Sequence, residues 1–206
     1  DYLPPYATRP MPKKGIEPLR RQQLIDATFQ VIHEIGLADA TVATIARKAG
    51  LSTGIVAHYF GDKAGLLNAA MRQILSQLKD AFAQHRGQAA TDPRSQLRAL
   101  VDANFDPSQT SGPAMRVWLT FWAASMHQPE LARLQRINDQ RLYSNLAYQF
   151  HRSLPAEPAR EAARGLAALI DGLWLRGSLV GGQIDGDNAR HIAYAYIDFQ
   201  LQANAL

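Results

Sequence analysis

The sequence predicts an all-α protein of about nine helices, arranged as a small N-terminal head and a larger C-terminal bundle. Three observations carry that prediction. Apolar residues recur at the helical period through most of the chain, and no stretch alternates polar and apolar as a half-buried strand would. Helix starts and stops punctuate the pattern, with Thr41, Ser52 and Asp62 at expected starts and Gly36 and Gly50 at expected stops. The length of 206 residues, without an internal repeat, is enough for one large core or two small ones.

Residues 1–10, DYLPPYATRP, are Pro-rich and read as an extension ahead of Met11, outside the fold. Pro18 suits a first helical turn, and Leu24, Ala27, Thr28, Val31, Ile32 and Ile35 make one stripe that Gly36 ends. Thr41 caps a second helix through Val42, Ile45, Ala46 and Ala49, stopped by Gly50. Leu51 plugs the turn and Ser52 caps a short third helix. Its Val56 and Phe60 share one face, while Thr53, Gly54, Ala57 and His58 lie on another. Two short helices joined by a tight turn, the second with a small polar outer face, are the parts of a helix-turn-helix. A plain αα-hairpin has the same spacing.

Asp62 caps a fourth helix through Leu66, Leu67, Ala70, Met71, Ile74, Leu78 and Phe82 to about His85. It is long enough to leave the head and enter the body. The boundary between a helix-turn-helix head over 18–78 and a body over 79–206 is therefore expected inside a helix. A loop follows over Gly87–Asp92. Pro93 opens a helix to Phe105, Asp106–Gly112 is rich in turn residues, Pro113 opens an aromatic helix to Gln128, and Pro129 opens a long one to Ser153. Residues 156–180 are apolar nearly all round, a turn at Gly181, Gly182 and Gly186 follows, and the last helix runs over 188–203. A helix without a polar face must be covered on more than one side. Coverage within one bundle is possible, but with its neighbour the helix fits a homodimer interface better, one in which Leu166 and Leu173 take part, and a two-fold dimer would present two reading heads to a palindromic site.

Charge and chemistry narrow the function. The formal net charge is +4, and between Arg9 and Ile25 five cations (Arg9, Lys13, Lys14, Arg20, Arg21) stand against Glu17 alone. Such an arm can reach phosphates or can be a solvated tail. Cysteine is absent, which fits a reducing cytoplasm, and no apolar run is long enough to span a membrane. His33, His58, His85, His127, His151 and His191 are scattered, and none has metal-ligand spacing. No nucleophile elbow or phosphate-binding loop occurs. Neither an enzyme, a metal site nor a cofactor is expected.

The body carries a second pattern. Trp118 and Trp122 are four apart on one helix face with Met115, Met126 and Phe121 nearby, and Asp171 and Trp174 are three apart on the apolar helix. Tryptophan faces beside a carboxylate form a cage for a quaternary ammonium, which π faces attract and which cannot donate N–H hydrogen bonds. The plainer reading makes the tryptophans core and pairs Asp171 with Arg176 or another arginine.

The order Thr41, Ile45, Ala46, Ala49, Gly50, Ser52, Gly54, Tyr59, Phe60, Asp62, Lys63, Leu66, Leu67 resembles the DNA-binding head of TetR-type repressors. That resemblance implies base contacts from Ser52, Thr53, Gly54 and His58 and phosphate contacts from Thr41, Tyr59 and Lys63. Many such heads carry tyrosine where this chain has Ala57, a loss for which the cations at 13, 14, 20 and 21 can compensate. The likeness continues from Met11 to about Gly181 through ANFD, AMRVWLTFWAASMHQP, RLYSNL and LAALIDGLWLRG, and there it is similar to the choline-responsive members of the family. It implies a homodimer, paired through its last two long helices, that represses genes of choline uptake and glycine-betaine synthesis until choline binds. The expected ligand site is Trp118, Trp122, Trp174 and Asp171, with Asn104, Phe105 and Phe121 as further walls. A repressor for another quaternary ammonium or cationic drug, and an α-helical carrier or enzyme without a DNA role, are the competing readings.

Overall fold

A computed structural model of the chain describes residues 15–180 and 184–203. The expected cations Lys13 and Lys14, the extension over 1–10 and the glycines at 181 and 182 lie outside these residues. Ten helical segments follow one another, and no strand occurs among the described residues. They are α1 (Ile16–Asp39), α2 (Val42–Lys48), α3 (Thr53–Phe60), α4 (Lys63–Gln88), α5 (Pro93–Asn104), α6 (Pro107–Thr110), α7 (Gly112–Ser125), α8 (Pro129–His151), α9 (Ala156–Leu179) and α10 (Gly186–Ala203). The protein is all-α, and α6 is a single turn.

Local chemistry explains most of the boundaries. Backbone leaves the helix at Gly36, where φ is 77°, a left-handed value that disfavours a side chain, so α1 is broken where the stripe ends. At α2, Thr41 and Thr44 cap each other reciprocally: the Thr44 amide donates to Thr41 Oγ1 at 3.1 Å and the Thr41 amide to Thr44 Oγ1 at 2.8 Å. Asp62, Asp92 and Asp106 accept from backbone amides at the starts of α4, α5 and α6. Ser52 occupies the N-cap of α3 but makes no capping bond. Two boundaries differ from the sequence expectation. Helix α4 runs past His85 to Gln88, because Gly87 stays helical where a tertiary neighbour, α5, packs alongside. The turn-rich stretch after Phe105 contains α6, built on the Asp106 cap.

Apolar burial falls into two clusters. The head core joins Leu24, Ala27 and Val31 of α1 to Ile45 and Ala46 of α2, Val56 of α3 and Leu66 of α4. The body core takes Leu67, Met71, Ile74 and Leu78 of α4 together with α5 and α7–α10, and it also takes Ile32 of α1. Helices α1 and α4 therefore belong to both cores, and in α4 the two memberships meet at the adjacent residues Leu66 and Leu67. Helix α1 packs directly on α7, so closely that a Cβ on Gly112 would fall 2.8 Å from the His33 ring.

The expected dimer face needs correction at Leu166. It is 0% exposed in the chain's own core, because α9 is covered by α8 and α10 of the same chain, whereas Leu173 is half-buried, packed against that core with part of its surface open. Exposed apolar side chains lie further along, at Leu175, Leu179 and Val180, and on α10 at Ile192 and Phe199. The first half of α9 instead turns Glu157, Arg160, Glu161 and Arg164 to solvent.

Candidate functional site

In the head, α3 presents Ser52, Thr53, Gly54, Ala57 and His58 to solvent, while Val56 is buried beneath them and Tyr59 and Phe60 are half-buried. Thr53 and Ala57, Gly54 and Ala57, and Gly54 and His58 are three or four apart on the helix, which brings the four onto one broad side. Small side chains at Gly54 and Ala57 let that side approach another surface closely. Arg47 and Lys48 are also exposed at the end of α2, with Lys48 paired to Glu34.

Several expected phosphate contacts already have internal partners. Lys63 Nζ donates to the Leu37 carbonyl at 3.1 Å, which ties the start of α4 to the break in α1. An ammonium has three donors, so two remain for another acceptor. The Thr41 hydroxyl is part of the α2 cap and donates to Thr44 Oγ1. Arg21, expected on the arm, is a brace: its Nη1 donates to the Tyr59 carbonyl at 2.8 Å and its guanidinium lies 4.7 Å from the Phe60 ring centroid. The pairing fixes α3 against α1.

In the body, Trp118 and Trp122 of α7 and Trp174 of α9 come together. Their ring centroids lie 6.2 Å (118–122), 6.5 Å (118–174) and 5.2 Å (122–174) apart, with tilted or edge-on planes. These are ordinary aromatic contacts, so the tryptophans support one another as core and also wall a cavity. The cavity is narrow, about 30 Å³. Its other walls are Leu78, Asn104, Gln109, Gln135, Asn138, Asp139, Leu142, Ile170 and Asp171.

Asn104 is on this wall as expected. Phe105 and Phe121 are not: both are fully buried and off the lining, the Phe121 ring tilted against Trp118 with centroids 5.8 Å apart. Among the described residues Asp171 pairs with no arginine. It shares the cavity mouth with Asp139 of α8, each open to solvent on one side and surrounded by protein on the other. Burial against the indoles, and then the Asp139 charge, push the Asp171 carboxyl up to about 6. Burial also raises Asp139, against a hydrogen bond from Gln135 Nε2 at 2.8 Å. Gln135 Oε1 is buried and has no hydrogen-bond partner among the described residues, an acceptor at the cavity wall that a ligand hydroxyl could satisfy. No cation lines this cavity among the described residues.

Sequence reasoning missed Gln109, Gln135, Asn138 and Asp139. The last three lie on α8, whose four-residue Gln135–Asp139 spacing was the available signal. Gln109 has a further role. It is 1% exposed, and its Oε1 accepts from Trp118 Nε1 at 3.1 Å. The start of its helix, Asp106, meets His85 Nε2 of α4 at 2.9 Å. Burial would raise the Asp106 carboxyl, but hydrogen bonds from Ser108 and His85 outweigh it and hold it below its ordinary value. A continuous set of contacts thus runs from the tryptophans through α6 to α4.

Among the described residues, no group of three or more histidines and carboxylates could hold a metal, and no helix is long and apolar enough to cross a membrane.

Comparison with known proteins agrees across both bodies. Residues 24–70 match the family pattern described as bacterial regulatory proteins, tetR family, and residues 93–202 match the BetI-type transcriptional repressor, C-terminal. The chain is 76% identical over 196 residues, 95% of its length and all of the relative's, to the HTH-type transcriptional regulator BetI of Stenotrophomonas maltophilia. It is 60% identical over 192 residues to BetI of Pseudomonas aeruginosa, covering 93% of this chain and 98% of that one. Among solved structures, a transcriptional regulator from Rhodococcus aligns with a TM-score of 0.78 at 25% identity, covering 90% of this chain and 98% of that one. Another, from Saccharomonospora viridis and in complex with choline, aligns at 0.77 with 23% identity over 88% and 96%, a likeness of fold.

Proposed function

The chain belongs to the tetR family of bacterial regulatory proteins, with a BetI-type C-terminal body, and we propose that it is a cytoplasmic homodimer whose hold on its operator is released by choline. As a family member it is a DNA-binding transcription regulator of the repressor type and not an enzyme. Its target genes, on this reading, are those of choline uptake and oxidation to glycine betaine, as the kinship with proteins named BetI supports.

Ser52, Thr53, Gly54 and His58 read base edges in the major groove, since they form the exposed side of α3. Tyr59 and the two remaining donors of Lys63 hold phosphates, with Thr41 at the edge of that surface. The exposed apolar ends of α9 and α10, Leu175, Leu179, Ile192 and Phe199, pair with those of a second copy to give two heads for a palindromic site.

The observation that carries the choline reading is the meeting of three indoles with two carboxylates at one cavity free of cations. Because the indoles touch one another, the trimethylammonium lies against their faces on the side of Asp139 and Asp171, not between them. Each such cation–π contact is worth about 0.5–2 kcal/mol. The choline hydroxyl can donate to Gln135 Oε1. Betaine would bring a carboxylate toward Asp139 and Asp171 and is disfavoured. Choline acts on the heads through the contacts of Trp118 with Gln109 and of Asp106 with His85, which reach the α4 shared by both cores.

Calorimetric titration with choline, betaine aldehyde and betaine tests this. Choline should bind most tightly, and Trp174→Ala should lose choline binding while keeping operator binding. Equal choline affinity in Trp118→Ala, Trp174→Ala and the unchanged protein would overturn the cage. By linkage, saturating operator should weaken choline by the factor by which choline weakens operator. An unchanged choline affinity on the operator would leave the cage and remove the switch.

A further inference from the structure

The body holds a second and much larger hollow, a groove of about 1050 Å³ between α4, α5 and α8. Its floor is apolar, with Leu75, Leu78 and Phe82 of α4 beside Leu134 and Ile137 of α8. Its edges are cationic: Arg72, Lys79 and Arg86 follow one another along α4, and Arg141 stands on α8, all four exposed. Among the described residues no carboxylate lines it. Arg86 Nε donates to Gln96 Oε1 at 3.3 Å, which holds that cation at the α5 end. The groove shares Leu78 and Asn138 with the tryptophan cavity, yet the two linings are opposite in charge, two carboxylates there and four cations here.

Apolar side chains left half-open beneath a row of cations are a costly arrangement for a surface that only meets water. A bare cation is repelled by such a lining, and a neutral oil would leave the cations unused. We propose that this groove is a second ligand site, for a small amphipathic organic anion whose carboxylate meets Lys79 and Arg141 and whose apolar chain lies on Leu75, Phe82 and Ile137. Charge complementarity fixes the head group, because a guanidinium and an ammonium are the preferred partners of a carboxylate. Dimensions fit the chain: Arg72 to Arg86 is about 21 Å at 1.5 Å per residue, and the volume is that of a small-molecule site. An occupant would bear directly on α4, the helix that belongs to both cores.

The test is calorimetric titration of the full chain with decanoate below its aggregation concentration, beside decanol and decyltrimethylammonium. Decanoate should bind saturably, with decanol about tenfold weaker or worse for want of the charged contacts. The double variant Lys79→Ala, Arg141→Ala should weaken decanoate about fivefold or more, with the melting temperature and choline titration unchanged. Trp174→Ala should leave decanoate binding intact. Absence of saturable binding, equal affinity for decanol, or indifference to the double variant would each overturn the proposal. Loss of decanoate binding in Trp174→Ala would do so as well, by placing the anion in the tryptophan cavity.

Discussion

Choline affinity should fall as the solution is acidified through pH 6, and Asp171 sets both the direction and the size. Its carboxyl is pushed from 3.8 to about 6 by burial and by Asp139, so in the empty site it takes up its proton as the pH falls through about 6. A quaternary ammonium prefers the ionised form. At pH 7.5 nearly all Asp171 is charged, whereas at pH 5 about one chain in eleven is, a loss of roughly tenfold in affinity from this group. An ordinary aspartate would still be more than about nine-tenths ionised at pH 5 and would change little. Titrations at pH 7.5, 6 and 5 therefore distinguish the two cases, and Asp171→Asn should bind weakly at all three. The linked effect on stability has the opposite sense. A carboxyl whose folded-state value is raised weakens the fold as pH rises from about 4 through about 6, because the unfolded chain gives up its proton first. Asp171→Asn should accordingly raise the melting temperature of the choline-free protein above pH 6, while shrinking the further rise that choline produces. A choline affinity that is flat between pH 7.5 and 5 would refute the role of Asp171 as the paired charge.

Three other outcomes follow from the same geometry. Lys63→Ala should weaken operator and random DNA by similar factors and lower the salt slope by about one, measured by titration at several salt concentrations; an unchanged slope would take Lys63 off the phosphate backbone. Phe199→Asp should give folded monomers in sedimentation, whereas Leu166→Asp buries an unpaired charge in the chain's own core and should cost several kcal/mol, enough to unfold it; a folded monomer from Leu166→Asp would reverse that assignment. Gln109→Ala should leave choline binding within about threefold, by the modest worth of one neutral hydrogen bond, and reduce choline's effect on operator affinity; full release in that variant would route the signal elsewhere.

The head was legible almost residue by residue, because helix-turn-helix geometry is local. Thr41, Gly50 and Asp62 act within one turn of where they stand, and Val56 points inward simply by its place on α3. Legibility ended where a side chain's partner is remote in sequence. Arg21 looked like a free cation on a basic arm, yet it is held by Tyr59 and Phe60, 38 and 39 positions away. Leu166 and Leu173 looked like an interface because α9 shows no polar face over its middle, but whether apolar residues face the same chain or another depends on α8 and α10. The tryptophans could be singled out from spacing because Trp118 and Trp122 share a helix face. That Trp174 completes their group depends on how α7 and α9 are brought together.

On the proposed reading, Asp139 shows what a cation sensor would gain from the part that spacing did not reveal. A single carboxylate against three indoles would already attract an ammonium, and an arginine beside it, as the plainer sequence reading had it, would cancel the site. A second carboxylate does the reverse. With both groups ionised at neutral pH, their mutual repulsion is present in the empty site, which is why Asp139 contributes to the raised value of Asp171. A ligand cation lying against both relieves that repulsion as it binds, so part of its affinity comes from strain already in the protein. A zwitterion of the same size brings its own carboxylate into the same field and obtains much less. In the proposed site the alcohol and its fully oxidised product share a trimethylammonium group, and the indoles alone would hardly separate them. The acid pair supplies the difference, with Gln135 Oε1 favouring the partner that can donate a hydroxyl proton. Discrimination of a precursor from its end product is then a property of α8 meeting α9, and it should be lost selectively when Asp139 is replaced by Asn: choline weakens, betaine improves relative to it, and the ratio of the two affinities moves toward one. A ratio unchanged in Asp139→Asn would mean that the indoles, not the carboxylates, make the distinction.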